Sequence, residues 1–483
     1  MGVRVRLFST LLVSILVMAL AIAESSYADN NLPDLGGASG GIVSPEQEYA
    51  LGQEWLRLYR SRVPTSSDPL LNDYIEQLLR RLAMFSQLED RRLSTVIVEN
   101  PSMNAFAVPG GVLGVHTGLF LYAESEHQLS SVLAHELAHL SQRHFARGVQ
   151  QRQANSMGLM AAQLASLVLM ATAGSEAGIA ALSASRAMAL DKQLRFSRQN
   201  EQEADRVGMQ TLIGAGMDPF EVPKMFERML HATRFSRRPP EFLLTHPITE
   251  KRISDSRNRA QKHPRKQFLI STDFHLMRAR IRLDNEESPQ KAVQRFSAEI
   301  KGDTLSMDAS YYGLALAQSR AGMTENARKS LQRLLNKEPD KIAYLVAQAE
   351  IESTAKNYKK ALQVLKSRLA ESPNNHSLNV TYAETLMNAG QYQESEGVLA
   401  IYSRQRPNDP YVWYLLAEVR GLAGDILGVH KARSEYFILN GIYDKAARQI
   451  NHALKMVKGN YMQTALLEER LRQVQRMQEK TRL

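Results

Sequence analysis

One short stretch of the chain carries a full set of hydrolytic groups. In Ser131-Val-Leu-Ala-His135-Glu136-Leu-Ala-His139-Leu-Ser-Gln-Arg-His144, two histidines stand four residues apart. On a helix that spacing puts both imidazoles on one face, close enough to share a metal ion. Glu136 is within reach of water at such an ion. Zinc lowers the pKa of that water toward neutral, and the carboxylate takes the proton as the water attacks a peptide carbonyl. Val132, Leu133, Leu137, Ala138 and Leu140 are apolar or small, as expected of a helix buried beneath a cleft. A catalytic zinc needs a third protein ligand and an open position. Glu201 and Glu203, in Glu-Gln-Glu-Ala-Asp, are both chemically suitable and point to different faces of one helix. His144 is five residues past His139, off the ligand face, and is not expected to be a ligand.

The surrounding elements are mostly helices. Ser44 caps a helix with Pro45 at its first position, and a second spans about 69–85. Residues 93–99 (LSTVIVE) read as a strand, and 104–115 (NAFAVPGGVLGV) as strand, turn, strand. Helices are expected at 125–151, 183–215, 219–233 and 247–262. The segments 156–174 and 177–190 read as an apolar helical hairpin (156–190), packed over the cleft as a lid or lying at a membrane surface. Residues 44–265 thus form an α+β, mostly helical domain with a small sheet.

From about 270 to 483 the pattern is all-α and repeats. Pro339, Pro373 and Pro407 are spaced by 34 residues, as are Gly390 and Gly424, with Gly322 two periods before Gly390. Ala327 and Ala361 share one position of the period, and Leu331, Leu365 and Leu399 another. This is the tetratricopeptide period: small residues let paired helices touch, proline ends the second helix, and each pair buries its apolar face on the next. The phase weakens before 306 and after about 426.

Composition narrows the classes. Of 483 residues, 44% are hydrophobic and 23% charged, which supports two or three folded domains. The absence of cysteine removes disulfides, thiolate nucleophiles and cysteine metal sites. Arg4 and Arg6 precede an apolar run, 7–23, with cleavage-compatible small residues ending at Ala23 or Ala28. Residues 1–28 read as a secretory signal peptide and 29–43 as a flexible start, which points to the periplasm. The net charge of +10 favours acidic partners or peripheral contact with an anionic membrane, and no stretch suggests nucleic acid.

The segments NAFAVPGGVLGVHTGL, HELAH and EQEADRVG, in this order, resemble the HtpX and CAAX prenyl protease-like family of zinc metallopeptidases over roughly 45–262. The resemblance implies one Zn2+ held by His135, His139 and Glu201, with Glu136 as general base and Asp205 orienting a bound histidine. It implies that Asn104, Ala105, Phe106, Ala107 and Val108 form an edge strand that pairs with substrate. It also implies that a residue near 246 reaches the pocket. His246, in Thr245-His246-Pro247, is expected there, either stabilising the oxyanion or taking the fourth zinc position. Family members with this leader and these repeats are implied to degrade stalled or unfolded outer-membrane β-barrel proteins, to assist their folding as chaperones, and to meet the assembly machinery through the repeats. The alternative is a non-catalytic chaperone or scaffold with a structural or latent zinc site.

Overall fold

The computed structural model describes residues 44–150, 189–234 and 241–482. The expected signal peptide, flexible start and most of the apolar hairpin lie outside the described residues. Among the described residues no helix is long and apolar enough to cross a membrane.

The N-terminal half opens with α1 (Pro45–Arg60) and α2 (Pro69–Met84). Ser44 and Gln47 form a reciprocal capping box on α1, and Asp68 caps α2 through the amides of Leu70 and Leu71. Strands β1 (Ser94–Val98), β2 (Ala105–Val108) and β3 (Val112–His116) make a sheet of order β1-β3-β2. β2 and β3 are the expected hairpin, antiparallel across Gly110 and Gly111, both at positive φ. β1 joins on the far side of β3 in parallel, with Val96 opposite Gly114. Among the described residues, β2 therefore keeps one edge unpaired by a strand.

The short α3 (Thr117–Tyr122) leads to α4 (Glu126–Ser141), the helix of the two spaced histidines. Ser125 caps it by accepting from the amide of Gln128, and its side chains from Gln128 to Ala138 are buried. The single helix expected over 125–151 is broken. Arg143 takes φ +48, and α5 (His144–Gln150) starts in a new direction. No glycine or proline marks the break. The Arg143 guanidinium is instead held by Glu48 of α1, at 2.6 Å from Nη2. α6 (Ala189–Gly214), α7 (Glu221–Arg234), the short α8 (Glu241–Thr245) and α9 (Glu250–Ala260) complete this half.

Next come α10 (Thr272–Asp284) and α11 (Pro289–Lys301), which both pack on α12 (Met307–Arg320). Five helix pairs make up the rest: α12 with α13 (Thr324–Leu335), α14 (Ile342–Thr354) with α15 (Tyr358–Glu371), α16 (His376–Asn388) with α17 (Tyr392–Gln405), α18 (Pro410–Ala423) with α19 (Ile426–Leu439), and α20 (Tyr443–Met456) with α21 (Tyr461–Arg482). Ala327, Ala361, Leu331, Leu365 and Leu399 are all buried. Gly322, Gly390 and Gly424 sit at φ between +77 and +83 in the turns within pairs. Lys356 fills the missing beat between Gly322 and Gly390, with φ +61 and no glycine.

Both halves belong to one packed unit, and α2 lies between them. One face packs on α4. The other is bonded to the repeats: Arg280 to Asp68 at 2.6 Å, Ser377 Oγ to Asp73 at 2.6 Å, and Arg406 to Glu76 at 2.5 Å.

Candidate metal centre

Two helices cross at the site, and small residues let them do so closely. Ala138 on α4 packs with Ala204 and Val207 on α6. A Cβ on Gly208 would lie 3.0 Å from the Ala134 carbonyl oxygen and the His135 amide nitrogen. A side chain there would have to push the α4 backbone aside by a few tenths of an ångström. Residues one helical turn apart on each helix then face one another: His135 and His139 on α4, Glu201 and Asp205 on α6.

The polar atoms converge closely. His135 Nε2 and His139 Nε2 are 3.0 Å apart. Glu201 Oε2 is 3.4 Å from His135 Nε2, and Oε1 is 3.4 Å from His139 Nε2. Ligands bound tetrahedrally to zinc at about 2.0–2.1 Å stand about 3.3 Å from one another, so these three edges fit such an ion. His246 is the fourth member, and one donor atom from each of the four lies within 4.8 Å of the others. Its Nδ1 is 3.0 Å from Glu201 Oε1, and its Nε2 is 3.5 Å from Glu136 Oε1. Glu136 Oε1 is otherwise buried without a hydrogen-bond partner among the described residues. A buried acceptor left without a donor is costly and points to a role outside folding.

Electrostatics favour a cation. Burial would lower the His135 pKa, but Asp205 and Glu201 outweigh it and raise it to about 9. Burial dominates at His139 and lowers it to about 3, the neutral form that a metal requires. Glu201 is held well below the usual carboxylate range despite its burial, by His246, His135 and His139. Burial raises Glu136, the direction that suits a general base.

The comparisons with known proteins bear on this cluster directly. The model of peptidase family M48 matches residues 69–260, which span all of it, and a tetratricopeptide-repeat model matches 354–419. The sequence is 34% identical over 474 residues, 97% of each chain, to the beta-barrel assembly-enhancing protease of Escherichia coli (strain K12). The chain belongs to peptidase family M48. A second relative, the putative beta-barrel assembly-enhancing protease of Vibrio cholerae, is 34% identical over 94% of each chain. The mitochondrial metalloendopeptidase OMA1 of Schizosaccharomyces pombe is 30% identical over 37% of this chain and 50% of its own. The protein is thus a metal-dependent M48 peptidase with tetratricopeptide repeats.

Within this M48 domain the remaining expected residues are distributed as follows. Asp205 Oδ1 is 3.1 Å from His135 Nδ1. Ala105 to Val108 form β2, at the sheet edge beside α4, and the Ala107 amide donates to the Glu136 carboxylate. Asn104 precedes the strand, and its carbonyl accepts from the His116 amide at 3.0 Å. His246 closes α8 by donating its amide to the Phe242 carbonyl, with its ring against that of Phe242.

Two residues escaped sequence reasoning. Arg252 on α9 is buried, donates from Nε and Nη2 to Asp205 at 2.8 and 2.7 Å, and reaches Glu201 at 3.0 Å from Nη1. The same Nη1 donates to the Pro247 carbonyl at 2.8 Å and so fixes the His246 turn. It stands in a strongly charged helix that reads as a solvated surface. His144 is the second. The helix break turns it back toward the site, with its Nδ1 2.8 Å from Nδ1 of His139.

Proposed function

We propose that the protein is a periplasmic zinc endopeptidase that degrades misassembled outer-membrane β-barrel proteins and assists their assembly. One observation carries the chemistry: two imidazoles and a carboxylate at 3.0–3.4 Å, beside a buried glutamate whose Oε1 has no hydrogen-bond partner among the described residues. In this reading His135, His139 and Glu201 hold the ion. A bound zinc ion supplies Lewis acidity, which makes water acidic near neutral pH and polarises a peptide carbonyl. Glu136 takes the proton of the attacking water and returns it to the leaving amine. Asp205 and Arg252 keep the donors oriented. An extended client segment adds to the free edge of β2, which unpaired β-rich chains suit well.

The contacts of His246 with both Glu201 and Glu136 favour the role of fourth ligand, which holds the resting enzyme closed. Its replacement by alanine is then expected to raise basal cleavage. The names and full-length similarity of the relatives support outer-membrane β-barrels as clients. The leader-like residues 1–28 support the periplasm. A cleft of about 600 Å³ between the two halves, lined by Arg57, Arg60, Arg406, Tyr411 and Tyr414, supports docking of the assembly machinery at the repeats.

Glu136→Gln is the direct test. Cleavage of casein and of an accumulating β-barrel precursor should fall by roughly 10²–10⁴-fold, with bound zinc unchanged. Equal cleavage by the variant would refute the assignment. The same experiment separates the scaffold reading, in which Glu136 has no task.

A further inference from the structure

His144 is a buried imidazole for which the mechanism above has no use, and it lies between two well-defined partners. Its Nδ1 is 2.8 Å from Nδ1 of His139, with the rings nearly perpendicular. Its Nε2 is 3.0 Å from Oε2 of Glu203. That same oxygen accepts from Arg147 Nη2 at 2.6 Å, which fixes the carboxylate in place.

The hydrogens of this chain follow from its end. An ionised carboxylate only accepts, so the Nε2 of His144 carries the hydrogen. In a neutral imidazole the other nitrogen then presents a lone pair. His144 Nδ1 therefore accepts from the Nδ1–H of His139. His139 is left with its lone pair on Nε2, the atom that faces His135 Nε2 and Glu201 Oε1.

We propose that His144 is a positioning residue for the metal: with Glu203 it forms a carboxylate–imidazole relay that locks the tautomer and ring plane of His139. The proposal rests on the metal reading above. His135 is oriented by direct contact with Asp205 at 3.1 Å; His139 is oriented at one remove. Both acids of the Glu-Gln-Glu segment are then used, Glu201 at the ion and Glu203 at the end of the relay. The left-handed turn at Arg143, pinned to Glu48, gains a purpose, since an unbroken helix would carry His144 away from His139.

Partners that orient a ligating histidine are worth about 10–100-fold in metal affinity. The test uses two amides in the full-length chain. In His144→Asn, the side-chain oxygen falls where Nδ1 of the imidazole stood and still accepts from His139. In His144→Gln, the amide reaches the Nε2 position and leaves His139 without its acceptor. Zinc affinity is measured by chelator competition, the cobalt(II)-loaded chain by visible absorption, and folding by circular dichroism.

The glutamine variant should bind zinc about 10–100-fold more weakly and shift the cobalt bands, with the asparagine variant within a few-fold of wild type. Glu203→Ala should fall between them. Equal affinities for the Asn and Gln variants, or a Gln variant that binds as wild type does, would overturn the relay. Wild-type protein that binds no zinc would overturn the metal reading itself, so the two failures are distinct.

Discussion

Arg252→Met gives the sharpest prediction. The guanidinium is the counter-charge for two buried carboxylates: its side chain is 5% exposed, and those of Glu201 and Asp205 are 7% and 8% exposed. Methionine keeps much of the volume and removes the charge. Breaking a buried pair by deleting one partner costs about 3–5 kcal/mol, because the surviving charge stays desolvated. Loss of the stack on Phe226, 5.0 Å from the guanidinium, adds about 0.5–1 kcal/mol. The metal-free variant should therefore lose about 3.5–6 kcal/mol. Zinc changes the balance, since an ion at Glu201 compensates that carboxylate while Asp205 keeps His135. The loss should then shrink to about 1.5–3 kcal/mol, the worth of one charged hydrogen bond. Urea unfolding reads both numbers in a Trp413→Phe background, where the remaining tryptophan, Trp55, stacks on Tyr59 in the peptidase half. A metal-free loss below about 1 kcal/mol, or the same loss with and without zinc, would refute the reasoning.

Gly208→Val should drive a side chain into the backbone of α4, destabilise the peptidase half by about 1–3 kcal/mol and weaken zinc binding; unchanged affinity would mean that the helices do not need that close approach. Zinc at 100 times its dissociation constant should stabilise the wild-type chain by about 2.7 kcal/mol, and a chelator should remove both this gain and all cleavage. Glu352 in α14 receives hydrogen bonds from Arg328, Lys360 and Asn357, which outweigh its burial and lower its pKa to about 2. Its contribution is present above the unfolded carboxyl range near 4.5 and is lost as pH falls toward 2. Glu352→Gln should flatten acid unfolding of the repeats between those limits, as followed by circular dichroism.

What could be read in advance was local. The His135–His139 spacing, the cap at Ser44, the β2–β3 hairpin and the 34-residue beat are each set by residues close in sequence. What could not be read is held by distant partners. Nothing between Leu140 and His144 breaks a helix; the left-handed Arg143 is held by Glu48, 95 residues away. The chemistry of Glu201 and Glu203 was equal, and only the packing of α6 on α4 sends one to the histidine pair and the other to His144. Arg252 lay among charges that look solvated, and its burial follows from α9 closing over α6. The repeat phase faded at Gly441, where the left-handed turn (φ +63) abuts the α1 backbone: a Cβ there would lie 2.6 Å from the Arg57 carbonyl oxygen.

The helix shared by the two halves has a thermodynamic corollary. α2 buttresses α4 on one side and is tied to the repeats through Asp68, Asp73 and Glu76 on the other. A partner that grips the repeats in one setting of this rod more tightly than in another changes the affinity of the histidine pair for its ion. Linkage is reciprocal, so loading the ion changes the affinity for that partner by the same factor. A binding measurement on the repeats, made with and without zinc, would therefore register an event on the opposite face of a single sixteen-residue helix.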